Sequence, residues 1–175
     1  MSGRSLIAFL AVLAVLGLLG FGLLRKGSSA LELGSAVPTG KLPALEGGGS
    51  GSVADYRGRW VLVNFWASWC PPCRQESPAL QRFQKAHGGP GFTVLGIDTR
   101  DLSGDGISFD REFGLTYPQL RDGDGDAAHD YGTTGVPESF LVDPAGKLRL
   151  ARHGPVTEQY LSDFVAPLVS GGGNG

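Results

Sequence analysis

Cysteine is scarce in this chain: there are two among 175 residues, alongside a single methionine, Met1, and three histidines. No second cysteine pair exists to complete a four-thiolate metal site, and His87, His129 and His153 are scattered, which argues against a zinc or copper centre. Charge is also sparse, at 18% of residues, and has no basic excess. Beyond Gly34, twelve Lys and Arg face sixteen Asp and Glu. Such a surface does not neutralise phosphates, so no nucleic acid is expected as a partner. The 29 glycines lack a period of three, which excludes collagen, and imply long turns and frayed ends instead. With 41% apolar residues the chain can fill a core, its length suits one domain plus accessories, and no internal repeat is found.

What the N-terminus lacks is polarity. Residues 6–24 are 19 consecutive positions without a charged or polar side chain, bracketed by Arg4 and by Arg25-Lys26. As a helix at about 1.5 Å per residue the run reaches roughly 28 Å, the thickness of a bilayer's hydrocarbon layer. The competing reading is a cleaved signal peptide with Ser28-Ser29-Ala30 as its small-residue site. Typical signal-peptide apolar regions are shorter, about 7 to 15 residues, and Arg25 and Lys26 stand between run and site, so a retained signal-anchor is favoured. The expected organisation is a cytoplasmic N-terminus over 1–5, a transmembrane helix over 6–24, a linker over 25–35, a folded domain over 36–169 and a disordered tail over 170–175. Flanking charge does not orient the segment, because both ends are basic.

Within the domain, the stretch 31–41 reads as a tether, and the Gly-Ser tract at 47–52 as the loop of a hairpin. Residues 60–66 and 92–97 are short apolar runs, the pattern of central strands covered on both faces. The helix pattern between them, 71–87, ends at Gly88-Gly89-Pro90, and strand–helix–strand implies parallel pairing through a crossover. A short helix over 107–113 closed by Gly114, a hairpin of 138–142 with 147–151, and a helix over 157–169 capped by Thr157 complete the expectation. The last helix would bury Leu161, Phe164, Val165 and Leu168 on one face. Asp122-Gly-Asp-Gly-Asp126 imitates the start of a calcium loop. Ala127 and Thr133 stand where glycine and the bidentate glutamate are needed, so a solvated turn is expected. The order β-α-β-α-β-β-α describes a mixed sheet with helices on both faces.

The informative feature is Cys70-Pro71-Pro72-Cys73, at the end of one strand and the start of a helix. A helix start carries unpaired N–H groups and positive partial charge, which favour a sulfur there as thiolate, the form that attacks disulfides. Cys70, first and the more exposed by position, is the expected nucleophile, and Cys73, one turn on, resolves the mixed disulfide. Pro71 and Pro72 withdraw two donors from the Cys70 thiolate, so its stabilisation should be modest and the couple reducing. A purely structural disulfide is the bland alternative, but a four-residue loop gains only roughly 2 kcal/mol of chain entropy.

The segment Asn64-Phe-Trp-Ala-Ser-Trp-Cys-Pro-Pro-Cys-Arg-Gln-Glu76 resembles the active-site segment of membrane-anchored extracytoplasmic thioredoxins of the TlpA, ResA and CcmG/DsbE type. Tyr131-Gly-Thr-Thr-Gly-Val-Pro-Glu-Ser-Phe-Leu-Val-Asp143 is similar to the family segment that carries a cis-proline facing the cysteines, here Pro137. Its Pro-Glu-Ser-Phe wording, followed by Arg152-His153-Gly154, is nearest the CcmG/DsbE branch. The resemblance implies a thioredoxin-like α/β fold with an N-terminal β-hairpin extension, no cofactor, and a domain on the outer side of the cytoplasmic membrane. It further implies reduction of exported-protein disulfides, above all apocytochrome c thiols for haem attachment, with electrons from a membrane donor of the CcdA/DsbD type. At the site it implies a backbone at Val136 free to pair with an extended client, and Trp69 as an apolar wall beside Cys70. Thioredoxin's buried aspartate is replaced here by Asn64, which cannot titrate. The proton task then passes to Glu76, three residues beyond Cys73 and near the same helix face, with Glu138 as a second acid. Alternatives left open are a general TlpA-type reductase with other clients and a copper-delivery module using the cysteine pair without turnover. A secreted form would follow from signal cleavage.

Overall fold

Every residue of the strand Trp60–Trp66 except the first is buried, because each of its faces meets a different layer. Side chains alternate across a strand. Val61, Val63 and Phe65 enter one cluster with Leu95, Ile97, Phe140 and Val142, whereas Leu62 enters another with Leu80, Phe83, Val94 and Leu141. The computed structural model that shows this describes Leu10, residues 12–18 and residues 31–171.

In chain order the elements are β1 (Leu42–Pro43), β2 (Ser50–Gly51), a 3₁₀ turn (Val53–Tyr56), β3 (Trp60–Trp66), α1 (Pro71–His87), β4 (Phe92–Thr99), α2 (Ser103–Phe113), β5 (Gln119–Asp122), α3 (Asp126–Asp130), β6 (Glu138–Val142) and β7 (Leu148–His153). A helical C-terminus follows as α4 (Glu158–Tyr160), a π-helical segment (Leu161–Val165) and α5 (Ala166–Ser170). The main sheet has the order β5-β4-β3-β6-β7, with β3, β4 and β5 parallel and β6 and β7 antiparallel to their neighbours. Helix α1 and the C-terminal helices pack on one face, and α3 with the 3₁₀ turn on the other. This is the mixed α/β sheet flanked by helices that the sequence predicts, with β1 and β2 forming the small N-terminal hairpin.

Several elements depart from the sequence expectation. The stretch read as a tether is packed from Gly34 onward. Gly34 N–H donates to the Leu148 carbonyl at 2.7 Å, Leu148 N–H donates to that of Ser35 at 2.9 Å, and Val37 is buried. Strand β4 runs two residues further, through Asp98 and Thr99, and α2 starts four residues earlier, at Ser103. Their polar, glycine-rich wording reads as loop, and only the sheet end beneath explains why it is ordered. Strand β5 and helix α3 were not expected at all. The supposed solvated turn at 122–126 instead contains a buried carboxylate. Asp122 accepts from Thr99 Oγ1 at 2.9 Å, Ala127 N–H at 3.1 Å and Ala128 N–H at 2.9 Å, which fixes the start of α3. In the last helix Leu161 and Val165 are buried as expected, but Phe164 and Leu168 are 55% and 38% exposed. The π-helical segment spaces its hydrogen bonds five residues apart and breaks the simple face. Gly114 ends α2 as expected, in the left-handed region at φ 56°.

The anchor expected over 6–24 lies mostly outside the described residues, as do residues 172–175 of the disordered tail expected over 170–175, whose first residue, Ser170, is instead the last of α5. Leu10 and residues 12–18 are helical, and among the described residues no helix is long and apolar enough to cross a membrane.

Leu80 sits at the centre of the α1 interface and is wholly buried. Leu80→Ala is expected to cost about 2–5 kcal/mol of stability. By contrast Arg82→Ala, which breaks only the exposed pair with Glu158, should cost under about 1 kcal/mol. Urea unfolding of both variants measures the difference.

Candidate active site

The parallel strands end on one side of the molecule, and the loops leaving β3 and β4 meet there with the residues entering β6. Antiparallel pairing sets Glu138 opposite Phe65, so the turn before β6 arrives beside the residues after β3. Cys70 occupies the N-cap position of α1, with Pro71 and Pro72 in the first turn. Its sulfur accepts from the Cys73 N–H at 3.2 Å, and the Val136 carbonyl oxygen lies 3.4 Å away. The Val136-Pro137 peptide bond is cis. Cys70 and Cys73 are joined as a disulfide with Cα atoms 5.3 Å apart.

The exposure contrast anticipated between the two sulfurs is small in this oxidised form. Cys70 is 2% exposed and Cys73 is fully buried, both packed in a cluster with Leu45, Trp66, Ala67 and Phe109. What distinguishes Cys70 is its position at the helix start, beside Val136 and the surface. Trp69 stands next to it and is 61% exposed, with its indole N–H donating to the Arg100 carbonyl at 3.2 Å. A groove of about 120 Å³ runs between Trp69 and the 133–136 loop, with Val136, Gly135, Thr99 and His129 in its walls.

Glu76 is buried under this end of the sheet. Its Oε1 accepts from Asn64 Nδ2 at 2.8 Å and its Oε2 from the Val156 N–H at 2.8 Å, while Asn64 also donates to Ser139 Oγ at 3.0 Å. Asn64, expected to stand in place of thioredoxin's acid, and the glutamate expected to take over its task are thus directly bonded. Burial pushes the Glu76 carboxyl up to about 7, and the two hydrogen bonds, from Val156 and Asn64, only partly offset that effect.

Glu138 is also buried, and its contacts are with the loop. Oε1 accepts from Thr134 N–H at 3.0 Å and from Thr134 Oγ1 at 2.8 Å, and Oε2 lies 3.0 Å from His153 Nδ1 at the end of β7. It fastens the residues that lead into Pro137. Two acids that sequence reasoning passed over complete this end of the sheet. Asp101 Oδ2 accepts from the Ser68 N–H at 2.5 Å, and Asp98 lies wholly buried behind it. The available signal was two aspartates three residues apart just beyond an apolar strand, which sequence alone cannot distinguish from a polar loop.

The protonated form of Glu76 is favoured by folding, since its carboxyl rises from an ordinary 4.5 to about 7. The associated stability is therefore fullest below pH 4.5, declines as pH rises and levels off above about 7. That interval corresponds to roughly 3 kcal/mol. Glu76→Gln is expected to remove this part of the slope, read as the difference between urea unfolding at pH 5 and pH 7.5. An unchanged slope would show that the acid is not buried in the way described.

Comparison with known proteins agrees with this geometry. Residues 33–151 match the AhpC/TSA family. The thiol:disulfide interchange protein DsbE of Allochromatium vinosum is 36% identical over 95% of this chain and 93% of its own length. HelX of Rhodobacter capsulatus, also a thiol:disulfide interchange protein, is 33% identical over 93% of this chain and 95% of its own. A solved DsbE-type protein from Chlorobium tepidum superposes with a TM-score of 0.72 at 30% identity, covering 81% of this chain and 99% of that one. With a cysteine pair at the head of α1 and likeness over nearly its whole length, the chain belongs to the AhpC/TSA family, among the thioredoxin-like thiol:disulfide oxidoreductases that include DsbE and HelX.

Proposed function

We propose that this oxidoreductase works as a reductant of exported-protein disulfides, with apocytochrome c as the favoured client. The observation that carries the reading is the Cys70 sulfur at the head of α1, 3.4 Å from the Val136 carbonyl oxygen and served by one N–H donor. In the reduced protein the Cys70 thiolate attacks one client sulfur. A new S–S bond forms, the client disulfide breaks, and the other client sulfur leaves as thiolate. Cys73 then loses its proton and attacks Cys70, releasing the second client thiol and closing the Cys70–Cys73 disulfide. Two electrons have passed to the client.

Glu76 is the group to take and return the Cys73 proton, because a buried carboxyl poised near neutrality serves in both directions. Val136 pairs with an extended client segment, Pro137 brings that backbone to Cys70, Trp69 walls the groove, and Glu138 holds the loop in place. With Pro71 and Pro72 supplying no N–H, only the Cys73 amide supports the Cys70 sulfur, so the dithiol form gains little and the couple should be reducing.

A reductant in an oxidising compartment needs recharging from the membrane, so the electron donor is of the CcdA/DsbD type. The apolar run 6–24 holds the domain on the outer face of the cytoplasmic membrane as a single-pass anchor. Its described leucines, Leu10, Leu13, Leu16 and Leu18, are 49–72% exposed on a helix, which suits a surface covered by lipid.

Cys73→Ala should freeze the mixed disulfide at Cys70 in membranes of the parent cell, and mass spectrometry of the trapped adduct identifies the client. An apocytochrome C-x-x-C-H peptide supports the specific reading, other exported proteins point to a general reductase, and no adduct at Cys70 would overturn both. Equilibration of the full chain with glutathione buffers should give a potential nearer thioredoxin's, about −270 mV, than that of a strong oxidant at about −120 mV. A strongly oxidising value would reverse the direction of electron flow.

A further inference from the structure

Beyond the cysteines, the loop after β4 grips the residues that precede Cys70 at two points. Asp101 Oδ2 accepts from the Ser68 N–H at 2.5 Å, and the Arg100 carbonyl accepts from the Trp69 indole at 3.2 Å. Arg100 has a φ of 51°, in the left-handed region that a non-glycine residue rarely adopts. Among the described residues it is the only non-glycine there. Asp101 is itself tied down, with Oδ1 accepting from the Leu102 N–H at 2.7 Å and its carbonyl from Arg121 Nη2 at 3.0 Å.

Behind Asp101 lies Asp98, at the end of β4. It has no solvent exposure, and neither of its carboxyl oxygens has a hydrogen-bond donor among the described residues. Helix α2 seals it in: a Cβ on Gly106 would stand 2.5 Å from Asp98 Oδ2, so only glycine fits. The charged groups facing it are few. Asp101 adjoins it, and β5 presents Arg121, its register partner, and Asp122, whose carboxylate is taken by Thr99 and the start of α3. From α2 the nearest chain is Gly106, with Asp105 beside it exposed, and β3 presents Trp66, which does not titrate. Two ionised carboxylates side by side would both be acceptors, leaving Asp98 orphaned. One proton on Asp98 makes it a donor to Asp101 and resolves the deficit.

The geometry assigns Asp101 as a positioning residue for the nucleophile-bearing turn, with a protonated Asp98 behind it as the partner that keeps its carboxylate on Ser68. The pair acts through Ser68 and Trp69 and touches neither sulfur. Burial and the neighbouring Asp101 charge push the Asp98 carboxyl up to about 8, against the weaker pull of Arg121. Raising the pH through that value places a second negative charge against Asp101 and loosens its hold on Ser68. The turn carrying Cys70 is then free to drift from Val136.

The inference rests on Cys70 as the attacking sulfur, but its first test does not depend on activity. In ¹⁵N-labelled full chain held in detergent micelles, the Ser68 amide and the Trp69 indole resonances are followed from pH 6 to pH 10. Both should shift together through a midpoint near 8. Asp98→Asn, neutral throughout, should abolish that titration, and Asp101→Ala should leave the Ser68 amide without its bonded shift at any pH. Reduction of a C-x-x-C-H peptide disulfide should fall about tenfold or more in kcat/KM for Asp101→Ala. Asp101→Asn, whose amide oxygen still accepts from Ser68, should recover most of it. A Ser68 amide that does not titrate in the unmutated chain overturns the inference without needing any variant to fold. So does a titration that persists in Asp98→Asn, or an Asp101→Ala protein with unaltered kcat/KM. If peptide reduction is absent altogether while Ser68 titrates as described, the positional inference stands and the proposed activity fails.

Discussion

A single amide hydrogen decides much of what this molecule can do. The Cys73 N–H reaches the Cys70 sulfur because Cys70 caps α1, and the two residues between them are prolines with nothing to donate. A cap with several free N–H groups would hold a thiolate strongly and make the disulfide a ready oxidant. One with a single donor holds it weakly, which is the basis of the reducing couple proposed above. The rest of the site is arranged around that economy. The Val136 carbonyl approaches the same sulfur from the residues that lead into β6, and Leu45, Trp66 and Phe109 pack against the pair.

The end of the sheet also contains an unusual share of buried acid. Glu76 lies in α1 and Asp98 near the end of β4, each stripped of water and each raised toward or above neutrality by that loss. Their surroundings set them apart. Glu76 is fully bonded, to Asn64 and Val156, and can change charge while its neighbours stay where they are. Asp98 has no donor of its own and faces another carboxyl, so its charge is felt by whatever that carboxyl holds. The same residue chemistry therefore underlies both proposed roles, Glu76 moving a proton and Asp98 keeping one.

Much of the fold was legible in the chain because its central strands and α1 are long, apolar and strongly periodic. Residues 60–66 and 71–87 fall where pattern and stop signals put them. The elements that escaped were short and polar. Strand β5 consists of Gln119-Leu-Arg-Asp122, and nothing in four such residues distinguishes a strand from a loop until β4 offers its edge. Asp122 reads as a turn residue, and in the fold it is the buried acceptor that starts α3. The failed face of the C-terminal helix has a similar origin, since the π-helical segment answers to packing on α1 and leaves no mark in residue type.

At the site the division is of the same kind. Two cysteines spaced by two prolines, at a strand-to-helix boundary, determine thiol chemistry by themselves, because helix starts and thiolate stability are local matters. Glu76 three residues on was also readable, as a carboxyl on the covered side of α1. Only the tertiary structure could decide that Val136 meets Cys70, that Glu76 is bonded to Asn64, and that Asp101 grips Ser68. Those contacts join residues from 12 to 66 positions apart in the chain. They exist because parallel strands deliver their loops to one end of a sheet, where burial sets the charge of each acid.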